Sequence, residues 1–281
     1  MSERYEIHIT YKEDASSYET FKNVASLMLA IDDLNNAIAK SFSEEIETEA
    51  VIDEIANGSI RIWLRDKLKS LPDDKLKAYV KEPREAIADL LVTIKRKIVK
   101  ALDNPEGIES RVPQIVKEEI ENSEIKAAGY AVHKAKLLES VGKLSNAAGS
   151  FDIPPTLLIE GERMTIVNAY TFDPRNVEGV TMREQHTRGT FVIKKPDLVG
   201  ESRWTIIFDR NIDVTIADRE WLERLHKREI SITPGDMLDA ELKIETYLDE
   251  EDMSVIDTKY YITKVYGIVP PSKPVMRQLI E

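Results

Sequence analysis

Cysteine is missing from all 281 residues. Its absence removes thiol catalysis, structural disulfides, iron–sulfur clusters and thiolate zinc sites together. Histidine is scarce. His8, His133, His186 and His226 stand far apart and form neither a His-x-His nor a His-Glu-x-x-His pattern, so solvated or hydrogen-bonded imidazoles are expected and a metal site is not. No apolar run approaches the ~20 residues of a membrane helix, and no charged-then-apolar leader opens the chain, so a cytoplasmic protein without membrane contact is expected. Gly-x-Gly-x-x-Gly, Walker A and Gly-x-Ser-x-Gly motifs are also lacking, and no cofactor or catalytic residue is assigned. Positive charge is in deficit. With 39 Lys and Arg against 51 Asp and Glu, the net charge of −12 repels nucleic acid and anionic lipid, and any such contact needs a local basic patch.

What is present favours two cores, because the length exceeds the common domain size of ~100–150 residues. Residues 5–11 alternate like a strand, with Ile7 and Ile9 on one side and Glu6 and His8 on the other. Ser16 and Glu19 then match a capping box, and Phe21, Val24, Met28, Ile31, Leu34, Ile38 and Phe42 recur at helical steps. Two strands follow, from Glu45 to Ile55 and from Ser59 to Leu64, joined at Asn57-Gly58, a pair suited to a tight hairpin turn. The first seventy residues thus read as a β-α-β-β unit. The acidic run Glu44, Glu45, Glu47, Glu49, Asp53 and Glu54 reads as a solvated edge strand that resists aggregation.

Helical periodicity occupies Leu71 to Gly149. One helix opens at Pro83 and buries Ile87, Leu91, Ile94, Ile98 and Leu102; a short one covers Val112 to Ile120; a longer one runs from Ile125 to Leu144. Its small residues Ala127, Ala128, Gly129, Ala131 and Ala135 suit close approach by another helix, in this chain or a second copy. Near Phe151 to Pro155 the period returns to two, which places a domain boundary there. Strands are expected at 156–161, 164–172, 189–195, 203–208, 212–217, 236–248 and 258–268, with one helix capped by Asp218 and carrying Trp221, Leu222 and Leu225 inward. The fold class is α+β. Residues 1–150 form a β-α-β-β and helical interaction domain, and 151–281 a small, mostly antiparallel β-barrel with one inserted helix.

Two basic clusters stand against the acidic background. Lys95, Arg96, Lys97 and Lys100 lie in the second half of the Pro83 helix, where cations complement the helix end; the other reading is a docking surface for an acidic partner or a phosphate backbone. On the barrel, Arg183, Arg188, Lys194, Lys195 and Arg203 occur among Phe191 and Trp204, the mixture that single-strand-binding barrels use, although Trp204 with Ile206 and Phe208 reads most simply as core. Asp209, Asp213, Asp218 and Asp236 read as turn and cap residues.

Ile55-Ala-Asn-Gly-Ser-Ile-Arg-Ile-Trp-Leu64 after a β-α-β start resembles an N-terminal module of uncharacterised bacterial proteins. Trp204-Thr-Ile-Ile-Phe208, Ala217-Asp-Arg-Glu-Trp-Leu222, Pro234-Gly-Asp-Met-Leu238 and Tyr260-Tyr-Ile-Thr-Lys-Val265 are similar to a barrel-like tail of bacterial proteins, some associated with mobile elements and antiphage defence. The resemblance covers about half the chain and assigns no catalytic residue. Together with the missing catalytic signatures and the long amphipathic helices with their Ala/Gly-rich stripe, it points to a non-enzymatic binding or assembly protein, a homo-oligomer or a component docked on a protein partner. The alternatives are a nucleic-acid or nucleotide sensor using the barrel face, and a hydrolase whose site forms only in the fold.

Overall fold

A computed structural model describes residues 4–12, 14–43, 45–56, 60–70, 81–124, 131–198, 203–233, 235–250 and 252–270, the side chains of 52–56 and 70 excepted. Two compact units divide the chain, Met1–Gly179 and Val180–Glu281.

The first unit contains β1 (Tyr5–Ile9), α1 (Ser17–Lys40), β2 (Glu47–Ala56), β3 (Ile60–Ser70), α2 (Pro83–Leu102), α3 (Ile108–Glu121), α4 (Lys134–Ala148), β4 (Thr156–Ile159) and β5 (Glu162–Thr165). The strands form one antiparallel sheet in the order β2-β3-β1-β4-β5. Alternation decides its faces. Tyr5, Ile7, Ile9, Ile62, Leu64, Leu68, Leu157, Ile159 and Met164 are buried, each large aliphatic contributing about 1.5–3 kcal/mol by leaving water. The helices supply the opposing layer: α1 packs on α2, α4 and β2, while α2 packs on β3, β5 and α3.

Local signals explain the ends of these elements. Ser16 Oγ accepts from the Glu19 N–H at 3.4 Å, and Pro83 sits at the first turn of α2, where its missing N–H has no partner to lose. Glu160 and Gly161 both have positive φ, 49° and 81°, which is the geometry of a two-residue hairpin turn between β4 and β5, one residue earlier than expected. The Asn57-Gly58 turn lies outside the described residues, yet β2 and β3 pair antiparallel as its signal requires.

Several expectations are corrected. Phe21 is 65% exposed, because the buried stripe of α1 runs through Val24, Leu27, Ile31, Leu34 and Ile38 and, at 100° per residue, Phe21 lies about a quarter turn from its centre. α3 starts at Ile108, so Pro113 lies inside it. α4 starts at Lys134; Ala131 precedes it, with its N–H donating to the Ser41 carbonyl, and Ala127, Ala128 and Gly129 lie outside the described residues. The boundary also moves. The compact units separate after Gly179 and not near Phe151, because β4 pairs with β1 and thereby ties residues 156–165 to the N-terminal sheet.

The second unit is a closed five-stranded barrel in the order β10-β8-β7-β6-β9, with β6 (Val180–Lys195), β7 (Trp204–Ile207), β8 (Asn211–Ile216), α5 (Arg219–His226), β9 (Met237–Asp249) and β10 (Val255–Val269). All pairings are antiparallel except the short parallel contact of β10 with β8 that closes the barrel. Phe191, Ile206, Val214, Leu238, Leu242 and Ile262 fill the interior, and α5 seats Trp221 edge-on to Trp204 at 5.7 Å. Asp218 caps α5 through the Trp221 N–H and accepts from the Val265 N–H with its other oxygen, which ties the helix to β10.

Candidate functional site

Strand β3 alternates strictly. Ile62, Leu64, Asp66 and Leu68 turn inward and are buried; Arg61, Trp63, Arg65, Lys67 and Lys69 turn the other way. Same-face side chains on a strand repeat every ~6.8 Å, so four cations and an indole form a line about 27 Å long. Arg65, Lys67 and Lys69 are exposed, while Arg61 and Trp63 are half-buried.

Register sets what flanks this line. Trp63 faces Glu6 of β1, Glu6 faces Leu158 of β4, and Leu158 faces Arg163 of β5. The neighbouring row is Arg61, His8, Thr156 and Thr165. On the far side, Val51 and Glu49 of β2 stand opposite Arg65 and Lys67. The described side chains of this face therefore include five cations, Arg61, Arg65, Lys67, Lys69 and Arg163, against three carboxylates, Glu6, Glu47 and Glu49, and Glu54 of β2 stands in register with Trp63. Two of these carboxylates have cationic neighbours: Glu6 lies 3.5 Å from Arg61 Nε and Glu49 3.3 Å from Lys69 Nζ. Glu6 is almost fully buried, and Oε1, the oxygen that pairs with Arg61, is closed off from solvent. His8, 3.4 Å from an Arg163 nitrogen, has its pKa pushed below the ordinary imidazole value, first by burial and then by the guanidinium groups of Arg163 and Arg61. Burial is the larger cause, and Glu6 pulls the other way.

The cation cluster of α2 is placed differently from the docking surface weighed above. Lys95 is 1% exposed and forms a salt bridge with Asp66 at 2.8 Å, beneath the sheet. Asp66 also accepts from Tyr5 Oη at 2.8 Å and Asn35 Nδ2 at 2.7 Å, and the ammonium lies 3.8 Å from the centre of the Tyr5 ring. Burial pushes the Lys95 pKa down against the pull of Asp66, and pushes the Tyr5 phenol up. Lys95 belongs to the interior and to no surface. Arg96 pairs with Glu160 at 2.8 Å, Lys97 with Glu119, and Lys100 with Glu162 at 2.7 Å, so two of these cations clamp the β4–β5 hairpin onto α2.

The barrel cluster does not form one patch. Arg183 and Lys195 are twelve residues apart on β6, roughly 40 Å along an extended strand. Arg188 is held by Asp239 at 2.9 Å and lies over the Tyr266 ring at 4.0 Å. Lys194 and Lys195 are exposed at the end of β6, and Arg203 borders a cleft of about 80 Å³ with Asp213, Asp257 and Lys259. Phe191 and Trp204 are 2% and 1% exposed, so neither can stack on a base from outside. Around them the outer surface is self-paired: His186 bonds Glu184 and Glu241, both at 2.8 Å, and Lys243 bonds Glu245 at 2.7 Å.

Asp218 caps α5 and Asp236 serves a turn by accepting from both the N–H and the hydroxyl of Thr233, whereas Asp213 lies within β8 and accepts from the Thr205 hydroxyl across the strand pair at 2.8 Å. Among the described residues no three His, Asp or Glu side chains are grouped to hold a metal ion. A cleft of about 430 Å³ beside α3 is lined by Glu109, Pro113, Lys117, Val132 and Lys134, with Lys134 tied to Glu178 at 2.9 Å. No described helix is long and apolar enough to cross a membrane. β3 continues past Leu64 to Ser70, and the alternation of Arg65, Lys67 and Lys69 with Asp66 and Leu68 is the signal for that continuation. No protein-family model, no curated protein and no solved structure matches this chain.

Proposed function

We propose that this chain is a binding protein that holds a polyanionic partner on the open face of its N-terminal sheet. The line Arg61, Trp63, Arg65, Lys67 and Lys69 along β3 carries this reading. Elsewhere the net charge of −12 repels polyanions, so the field that excludes them from the rest of the surface also orients them toward this face. Long-chain polyphosphate is a suitable probe because it has charge and nothing else. Its binding is expected to weaken steeply between 50 and 200 mM salt. The double variant Arg65→Glu with Lys67→Glu abolishes it, and Lys194→Glu with Lys195→Glu on the barrel leaves it unchanged. Equal binding by the β3 variant and the unaltered chain overturns the reading.

A second reading, self-association through α1, is favoured by one observation. Tyr18, Phe21 and Leu29 are exposed at 71%, 65% and 67%, and lie on one side of the helix with exposed Ala25 between them. A small residue between large ones lets two copies of a helix cross closely about a two-fold axis, each aromatic end meeting the other's leucine end. Sedimentation velocity checks this: a dimer is expected that Phe21→Glu converts to monomer, and a monomer at all concentrations ends the idea.

A further inference from the structure

We infer that two copies of this chain associate through the open edge of β6, strand to antiparallel strand, about a two-fold axis centred on Gln185. This is independent of the polyanion reading, and it places the contact on a different element from α1.

β6 is a long strand with an uncovered side. Its 16 residues pair with β9 from Val180 to Val192 without a register shift, but with β7 only from Val192 to Lys195. Among the described residues no strand pairs with the other edge between Val180 and Thr190. Water reaches both faces there: Met182, Arg183, Glu184, Gln185 and His186 are all exposed. One hydrogen bond fixes the direction of the backbone. The Ile193 N–H donates to the Asp236 carbonyl at 3.0 Å, and in a regular antiparallel ladder every second residue points the same way, so Arg183, Gln185 and Thr187 bond β9. The N–H and carbonyl groups of Met182, Glu184, His186 and Arg188 therefore point outward along the edge. An unbroken edge of this length is a template for another strand, and neither a proline nor a bulge interrupts it between Val180 and Val192.

Charges also guard strand edges, by forcing like against like, and here they decide what fits. Strands that continue one sheet pair residues sharing a face, so a two-fold axis through β6 is centred on a residue. Centred on Arg183, Glu184 or Arg188 it makes like charges meet, and centred on His186 or Thr187 it sets imidazole against imidazole or guanidinium. Gln185 is different. That centre sets Glu184 across from His186 of the partner subunit, Met182 across from Arg188 of the partner subunit and Arg183 across from Thr187 of the partner subunit, each contact occurring twice. The segment is its own complement, which selects a second copy as the occupant. The backbone supplies the affinity, about eight hydrogen bonds between the outward groups of the two strands. The side chains keep their bonds within the chain, His186 to Glu241 and Arg188 to Asp239, and set only the register.

Sedimentation velocity of the full chain reads the contact as a dimer that grows with concentration. His186→Pro removes an outward N–H and no bond to β9, a position where an edge strand tolerates proline, and abolishes the dimer. His186→Asn keeps the N–H and weakens the dimer by about fivefold or less. Phe21→Glu, which alters α1, leaves it in place. Circular dichroism checks that each variant folds, and amide hydrogen exchange reads the same contact with no substitution at all. As concentration rises, the amides of Met182, Glu184, His186 and Arg188 exchange more slowly, while those of Arg183, Gln185 and Thr187, already bonded to β9, are unchanged. A monomer at every concentration overturns the inference, as do outward amides whose exchange ignores concentration. A dimer that survives His186→Pro and is lost in Phe21→Glu moves the contact to α1 and overturns it too. Equal loss in His186→Asn and His186→Pro does the same, by assigning the contact to a side chain instead of the strand edge.

Discussion

His8 and His186 sit on two β surfaces of one chain and are driven in opposite directions. Burial, Arg163 and Arg61 push the His8 pKa down, while hydrogen bonds to Glu184 and Glu241 push that of His186 up. Both surfaces interleave charges with aromatics, so composition does not distinguish them; cross-strand registry does. On the outer face of β6, β9 and β10, Arg188 meets Asp239, Lys243 meets Glu184 and Glu245, and Lys259 stands opposite Glu245. Opposite charges in registry neutralise each other and stabilise the sheet. On the N-terminal sheet Glu6 lies beside Arg61 and Glu49 beside Lys69, while Val51 stands across from Arg65 and His8 across from Arg61. What separates the two surfaces is how the opposite charges are distributed across the register, not how many charges each strand carries.

The comparison extends beneath the surfaces. The barrel interior is an apolar cluster, whereas the N-terminal core encloses Lys95 and Asp66 with Tyr5 and Asn35. The largest effect expected from any single change follows. Asp66→Ala strands a buried ammonium and lowers stability by about 3–5 kcal/mol, seen as a fall in the urea midpoint. Asp239→Ala removes the same charge from the barrel surface, where water replaces the lost partner, and moves the midpoint far less. Matching shifts for the two variants would mean that the buried pair does not organise the N-terminal core. Replacing Asp66 and Lys95 together by Leu and Met is expected to recover only part of the loss, since the apolar pair removes the stranded ammonium but still leaves the buried Tyr5 hydroxyl and Asn35 amide without their acceptor.

How far the chain could be read from its residues follows the same division between local and distant causes. The β-α-β-β start, the cap of α1 at Ser16, the Pro83 helix, the cap of α5 at Asp218 and most barrel strands depend on neighbours within a few positions, and periodicity exposes them. The first half of β6 was missed because residues 182–186 are exposed on both sides and show no alternation. The parallel closure of β10 on β8 and the pairing of β4 with β1 join distant segments and leave no local trace. The α2 cluster was legible in part. Helical phase places Lys95 on the buried side with Leu91, Ile94 and Ile98, which warned that it was not a surface cation, but its partner Asp66 lies 29 residues away on a strand whose end had been set too early. Glu6 as the neighbour of Trp63 required the register of β1 on β3, which only the folded sheet supplies.

The smallest expected effect is the one that reads the two fields directly. Titrating the histidine ring carbons by NMR places His8 below and His186 above the ordinary imidazole value of about 6.5. The signs have opposite consequences for folding. Native His186 holds its proton more tightly than the unfolded chain does, so its contribution is complete below that ordinary value and disappears as pH rises through the elevated pKa. Native His8 holds its proton less tightly, so its contribution is present above the ordinary value and disappears as pH falls through the depressed one. Replacing either residue by Asn removes the corresponding change and leaves the other. A polyanion seated on the N-terminal sheet cancels part of the field of Arg61 and Arg163, so adding polyphosphate must raise the His8 pKa and leave that of His186 in place. If the ligand moves His186 and not His8, the barrel is the polyanion surface and the contrast between the two sheets is reversed.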